Sequence, residues 1–229
     1  MHFLLLGATG RTGKHVVSEI LSQGHTVVAL VRSSASLSPS PGLTVVTGTP
    51  LAKDDIRSTL SAAPGPLPSA AIVTLNTVRE SDSPFAAQLS PPRFLADSCA
   101  NVCEVLEQAG IHRMVVMSTA GVGDSWGNLP WLSRAFMGWT NIKYALTDHG
   151  LVDKEIRLTK MDWTLVRAVR LEFDTPKKPN NTTKEIVTLG SSGDGMAMSD
   201  SVTVTSVAKF LVKIAVEGSF FKEAVVVRN

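Results

Sequence analysis

Apolar runs of strand length alternate with helix-like stretches along most of the chain. The run FLLLG starts at Phe3, and a helical stretch from about Arg11 to Gln23 follows it, closed by Gly24. Thr26 to Arg32 (TVVALVR) and Leu43 to Gly48 (LTVVTG) read as the second and third strands, and the latter leads into the helix-like DDIRSTLSAA. Ala70 to Asn76 (AAIVTLN) is the fourth strand, followed by a polar, proline-bearing loop and a helix from about Pro92 to Gln108 that Gly110 stops. Arg113 to Thr119 is the fifth strand and Trp163 to Ala168 the sixth, with a helix over roughly Asp148 to Thr159 between them. These runs are near-continuous rather than alternating, the pattern of strands buried on both faces of a parallel sheet. Regular strand–helix–strand succession predicts an α/β doubly wound parallel sheet of Rossmann type.

From Arg170 onward the signals shorten. EIVTLG, VTVTS and EAVVVR are strand candidates, and Val207 to Val216 is a helix. We read 1–229 as one domain in which 170–229 contributes a small substrate-side lobe. SSASLSPSPG, from Ser33 to Gly42, is a short low-complexity surface loop.

The first strand runs directly into GATGRTG, with glycines at 7, 10 and 13. Such a loop turns sharply, lets a phosphate approach backbone N–H groups, and presents it to a helix N-terminus. Gly13 allows the helix to lie close to the sheet, and Thr9 and Thr12 add hydroxyls. The spacing is GxxGxxG rather than GxGxxG, but the strand–turn–helix context is that of a dinucleotide site. The second strand ends in Arg32 and Ser33, where an NAD site often carries an acidic residue for the ribose 2′-hydroxyl. An arginine there suits a 2′-phosphate and favours NADPH, with NAD the less favoured cofactor. A solvated strand-end charge is the alternative.

Bulk properties narrow the classes of partner. The 229 residues carry a net charge of +2, with 44% apolar and 18% charged residues, which gives no electrostatic case for nucleic acid or an anionic membrane. No run approaches roughly 18 consecutive apolar residues, and the N-terminus has no signal-sequence pattern, so the expectation is a cytoplasmic protein, monomer or homodimer. Cys99 and Cys103, four apart on one helix face, read as core-facing thiols, and no metal-ligand spacing occurs. Asn180 and Asn181 fall in N-x-T sequons, which carry little weight without a secretory signal.

GATGRTG, the VR ending the second strand, the MST ending the fifth and DWTLVRA at the sixth together carry a resemblance. The chain resembles the atypical short-chain dehydrogenase/reductases, in particular the NmrA-like and biliverdin reductase B/flavin reductase-like group, over roughly residues 1–169. The resemblance implies that Gly7, Thr9, Gly10, Arg11 and Thr12 hold a pyrophosphate, and that Arg32 and Ser33 hold the 2′-phosphate. Leu75, Asn76 and Thr77 would line the ribose side, Ser118 and Thr119 would lie near the nicotinamide, and Ala168 and Val169 would border its amide end. The family often has Asp after the third strand to meet adenine. Here Gly48-Thr49-Pro50 stands instead, and Thr49 offers only a hydroxyl.

The YxxxK pair of typical members is absent, since Tyr144 is the only tyrosine and Asp148 stands four residues on. DHGLVDKEIR, from Asp148, resembles a helix of the flavin reductase-like group and implies Lys154 near the nicotinamide ribose, with a surface lysine as the alternative. Candidate proton donors are Ser118, Tyr144 and Lys154. His149 is a further candidate beside Asp148, although neighbours on a helix point apart. The stretch from Asp124 to Tyr144 holds three of the four tryptophans and follows the fifth strand. It either stacks on a flat polycyclic substrate or packs a core or dimer patch. Met196 and Met198 offer an adaptable wall or a surface loop.

Three functions fit: an NADPH-dependent reductase of an aromatic, quinone-like or flavin-like small molecule, a non-catalytic redox sensor of NmrA type, and an isomerase or cyclase on the same fold.

Overall fold

In the computed structural model the described residues are 1–34, 37–173 and 183–229. The elements are β1 (His2–Leu6), α1 (Arg11–Ser22), β2 (Thr26–Val31), β3 (Leu43–Thr47), α2 (Lys53–Ala62), β4 (Ala70–Val73), α3 (Phe94–Gln108) and β5 (Arg113–Thr119). They continue with α4 (Trp131–Trp139), α5 (Ile142–Ile156), β6 (Asp162–Ala168), β7 (Arg170–Glu172), β8 (Val187–Thr188), β9 (Ser201–Thr203), α6 (Val204–Glu217) and β10 (Glu223–Arg228).

The central sheet has the order β3-β2-β1-β4-β5-β6-β10-β8. Every pairing is parallel except that of β8 with β10. Both faces are covered, which is why the strand sequences lack alternation. Phe3 and Leu5 of β1 join α1 and α6 residues such as Val16, Ile20 and Leu211 in one core. Leu4 and Leu6 point the other way, into the core formed with α2, α3 and α5 through Ile56, Val102 and Val152. The chain winds outward in one direction from β1 to β3 and in the other from β4 to β10. The reversal between β1 and β4 opens a crevice at the carboxyl ends of the strands.

The stretch after Arg170, expected as one substrate-side lobe, divides in two. Among the described residues, only β7 and β9 form a separate two-stranded ribbon. EAVVVR becomes β10, a strand of the main sheet beside β6, and α6 packs on the sheet next to α1. Two local signals also resolve differently from the sequence reading. VTVTS is β-branched, but Thr203 accepts a hydrogen bond from the Ser206 amide and caps α6, so the helix starts at Val204. Helix α5 begins at Ile142, six residues before the expected Asp148. Cys99 and Cys103 are buried on α3, and burial raises both thiols, Cys103 to about 12. The sequons at Asn180 and Asn181 lie outside the described residues.

Candidate functional site

A cleft of about 1160 Å³ runs along the carboxyl ends of the strands, from the glycine loop to the β7–β9 ribbon. At its phosphate end, Gly7 has φ +87°, and a Cβ there would fall 2.7 Å from the carbonyl carbon of Thr74. A Cβ on Gly13 would overlap the backbone carbonyl of Gly7. The loop thus lies directly against the first turn of α1, and only glycine fits at those two positions. Gly10 is the N-cap of α1, with no side-chain cap on the free amides behind it. An uncapped helix start that faces a cleft is an anion site by dipole and by open N–H groups. These features fit the pyrophosphate of a dinucleotide.

Thr9, Gly10, Arg11 and Thr12 line the cleft beside Gly7, and Arg32 lines it at the end of β2. Leu75, Asn76 and Thr77, Ser118 and Thr119, and Ala168 and Val169 line it as well, after β4, β5 and β6. Arg11 is turned from the loop toward its neighbours: its guanidinium pairs with Asp82 at 3.1 Å and lies 3.9 Å over the Phe173 ring. Its backbone amide stays with the helix start, while its side chain ties the loop to the segment after β4.

Four expected site residues are not among those lining the cleft. Ser33 is exposed beyond Arg32. The Thr49 amide donates to Asp55 at 2.8 Å, and its hydroxyl accepts from the Leu51 amide. Gly48 and Pro50 line the cleft on either side of it. Asp55 of α2 thus holds the loop after β3 from outside the cleft, and no acidic residue of that loop lines it. Tyr144 and Lys154 are exposed on α5. The residues of α5 that do face the cleft are Ile142, Ala145, Leu146 and His149, one helical face at 100° per residue. Tyr144 points almost opposite to that face, and Lys154 lies about a third of a turn from it.

Asp148 and His149 point apart. The Asp148 carboxylate accepts hydrogen bonds from the Leu95 and Ala96 amides at 2.8 and 3.0 Å, which caps α3 from outside. His149 faces the cleft, buried, and desolvation lowers its imidazole to about 4, so it is neutral near pH 7.

Away from the phosphate end much of the lining is apolar. Phe94, Phe136 and Phe173 contribute aromatic faces, and Met117, Met137 and Met196 contribute thioethers. Of the aromatic stretch, only Phe136 reaches the cleft, while Trp131 and Trp139 are 69% and 82% exposed. Trp139 instead meets Phe85 edge-on at 6.4 Å. Asn141 fastens that contact by donating to the carbonyls of Phe85 and Ala86, which brings the segment after β4 onto the junction of α4 and α5. Sequence reading did not single out Phe94 and Phe173. Each is a lone aromatic at an element boundary, a position that carries no periodic signal.

Arg167, fully buried on β6, pairs with Asp124 and, at 3.0 Å, with Asp153 of α5.

Comparisons with known proteins bear on the family and the fold. A family model described as NAD(P)H-binding matches residues 7–217. The photosystem II assembly factor Ycf39 of a Synechocystis strain is 29% identical over 153 residues, 64% of this chain and 43% of that protein. A 3-diazoavenalumate denitrifying reductase of a Streptomyces species is 32% identical over 120 residues, 52% of this chain and 38% of that protein. The matched region is thus less than half the length of either relative. Among solved structures, ChuY, an anaerobillin reductase of Escherichia coli O157:H7, superposes with TM-score 0.73 at 18% identity, covering 99% of this chain and 96% of that one. A short-chain dehydrogenase/reductase of Veillonella parvula DSM 2008, solved with NADP, superposes with TM-score 0.73 at 17% identity, covering 100% and 94%. Among the described residues no helix is long and apolar enough to cross a membrane.

Proposed function

This chain belongs to the NAD(P)H-binding family, and from that membership we propose an NADPH-dependent reductase of a flat, largely apolar small molecule, quinone-like or flavin-like. The observation that carries the reading is the continuity of the cleft. One cavity of about 1160 Å³ joins the glycine loop, the strand ends at Ser118 and Ala168, and the wall of Phe94, Phe136 and Phe173. Pockets for one drug-sized ligand span about 300–1000 Å³, so this cleft has room for a dinucleotide and a second molecule together.

The residues divide the work by position. Backbone amides at the start of α1 would hold the pyrophosphate, and Arg32 at the rim would hold a 2′-phosphate through its guanidinium. A bound reduced nicotinamide supplies the hydride. Asn76, Ser118 and Ala168 border the place where its ring would lie, and Phe94 and Phe136 offer aromatic faces on which an acceptor would stack. The relative acting on 3-diazoavenalumate is itself named a reductase.

Tyr144 faces away from the cleft, so the tyrosine–lysine machinery of typical relatives has no counterpart, and this favours a second reading as a redox sensor. One experiment separates the two. Calorimetric titration with NADPH and NADH is followed by acceptor addition while the nicotinamide absorbance is monitored. Tight NADPH binding with oxidation by a quinone or flavin supports the reductase. Tight binding with no oxidation by any acceptor supports the sensor. No binding of either nucleotide removes both and leaves the isomerase or cyclase.

A further inference from the structure

No residue of α4 is buried, although the helix reads WLSRAFMGW and five of its nine residues are large and apolar. An amphipathic helix ordinarily hides its apolar side. Here Ser133 and Met137 meet the cleft, and the bulk of the apolar surface lies outside it. At 100° per residue, Trp131, Leu132, Ala135 and Trp139 share one arc of about 100°. Trp131 is 69% exposed and Trp139 82%. Phe85, 60% exposed, extends that surface through its edge contact with Trp139. Phe136 belongs to both sides, since it lines the cleft and is still 49% exposed. The four aromatic side chains together expose roughly 500 Å². That is the upper part of the range for the largest apolar patch on a monomer, and such patches mark interaction sites.

Charge decides what covers this face. Between Asp124 and Asp148 the only charged residues are Arg134 and Lys143. Arg134 flanks the apolar arc, about 60° from Trp131 in projection. The segment that carries Phe85 adds Arg79, Glu80 and Asp82, and the pairing of Asp82 with Arg11 leaves it balanced. A second copy meeting this face across a two-fold axis would set Arg134 and Lys143 against their own counterparts, like charge against like. A bilayer meets the same cations with lipid phosphates, and its interface is where tryptophan side chains settle. The net charge of +2 gives no long-range pull toward a membrane, so the drive is burial of aromatic surface, with the two cations adding at contact.

We propose that α4 and Phe85 dock this protein on a lipid bilayer, and that an apolar acceptor passes from the lipid into the cleft beside Phe136. The entry path rests on the reductase reading, whereas the docking stands apart from it. A long-chain quinone-like molecule dissolves in the hydrocarbon of a bilayer far better than in water. The surface that runs from Trp139 past Phe136 to Met137 lets such a molecule reach the cleft without crossing the solvent.

The test sediments the full chain with vesicles of phosphatidylcholine, alone or with about a third phosphatidylglycerol. Expected is binding to both, tighter to the anionic vesicles. Neither Trp131 nor Trp139 lines the cleft, and the double variant Trp131→Ser, Trp139→Ser should bind vesicles at least about 10-fold more weakly. Arg134→Ser with Lys143→Ser should remove only the preference for phosphatidylglycerol. NADPH oxidation by a long-chain quinone held in vesicles should fall about 10-fold in the tryptophan variant, while NADPH affinity and oxidation by 1,4-naphthoquinone in water stay within about 2-fold. Wild type that binds NADPH but neither vesicle overturns the docking and leaves the cofactor reading standing. Vesicle binding that the tryptophan variant keeps in full overturns it too. So does a dimer in sedimentation equilibrium that the tryptophan variant dissociates, since a second copy then covers the face. Vesicle binding without oxidation of either quinone supports the docking and overturns the reductase reading with its entry path.

Discussion

The carboxylate of Asp148 sits 2.8 Å from the amide of Leu95, on a different helix more than fifty residues earlier in the chain. This one contact caps α3 and sets the rotation of α5, and with it which residues of α5 enter the cleft. Arg93, the residue before α3, offers no side-chain cap of its own. Asp148→Ala should lower stability by about 2 kcal/mol, since it removes two hydrogen bonds to a buried charged group. Asp148→Asn, which keeps one acceptor, should lose less. Chemical denaturation of both variants checks the order.

Arg32 is the lever on cofactor choice. Arg32→Glu should weaken NADPH binding by about 10- to 100-fold, the loss of a charge-assisted contact, and change NADH binding little. Calorimetry with both nucleotides tests it, and equal losses would remove the 2′-phosphate assignment.

Gly13 leaves no room for a side chain. A Cβ would overlap the carbonyl of Gly7, which is backbone and cannot swing aside. Gly13→Ala should push α1 off the glycine loop, reduce NADPH affinity by at least about 10-fold and destabilise the fold by about 1–3 kcal/mol. A variant with unchanged affinity and melting temperature would show that the loop can relax.

Burial depresses the His149 pKa from 6.5 to about 4, so the unfolded chain binds its proton at a higher pH than the folded one. Stability linked to this residue is therefore fully present above about pH 6.5 and is lost as pH falls toward 4. The loss is on the order of 3 kcal/mol at its limit. Denaturation midpoints between pH 7 and 4 should fall more steeply for wild type than for His149→Phe.

Arg167 holds two acidic residues from separate segments, Asp124 and Asp153. Arg167→Met would leave Asp153 buried beside Arg157 alone, and breaking such a pair typically removes about 3–5 kcal/mol. A smaller loss in thermal unfolding would mean that water reaches the cluster.

Local chemistry made much of this protein legible in its sequence. Strands buried on both faces must be continuously apolar, and the loop after β1 must be glycine-rich to turn and to admit a phosphate. Both constraints act on neighbouring residues, so the parallel sheet, the crevice and the residues Gly7 to Thr12 could be placed from the chain alone. Arg32, Ser118 and Ala168 followed, because a strand end fixes its own position relative to the cleft. What the sequence left open depends on contacts between distant segments. Whether Tyr144, His149 or Lys154 faces the cleft is a question of helical phase, and that phase is set by the grip of Asp148 on the start of α3. EAVVVR reads as a strand of the substrate-side lobe, and it is the free edge of β6 that makes it a strand of the main sheet. Asp55 reaches the loop after β3 only because α2 folds back over it. Periodicity says that a helix has faces, but only packing against its neighbours decides which of them meets the ligand.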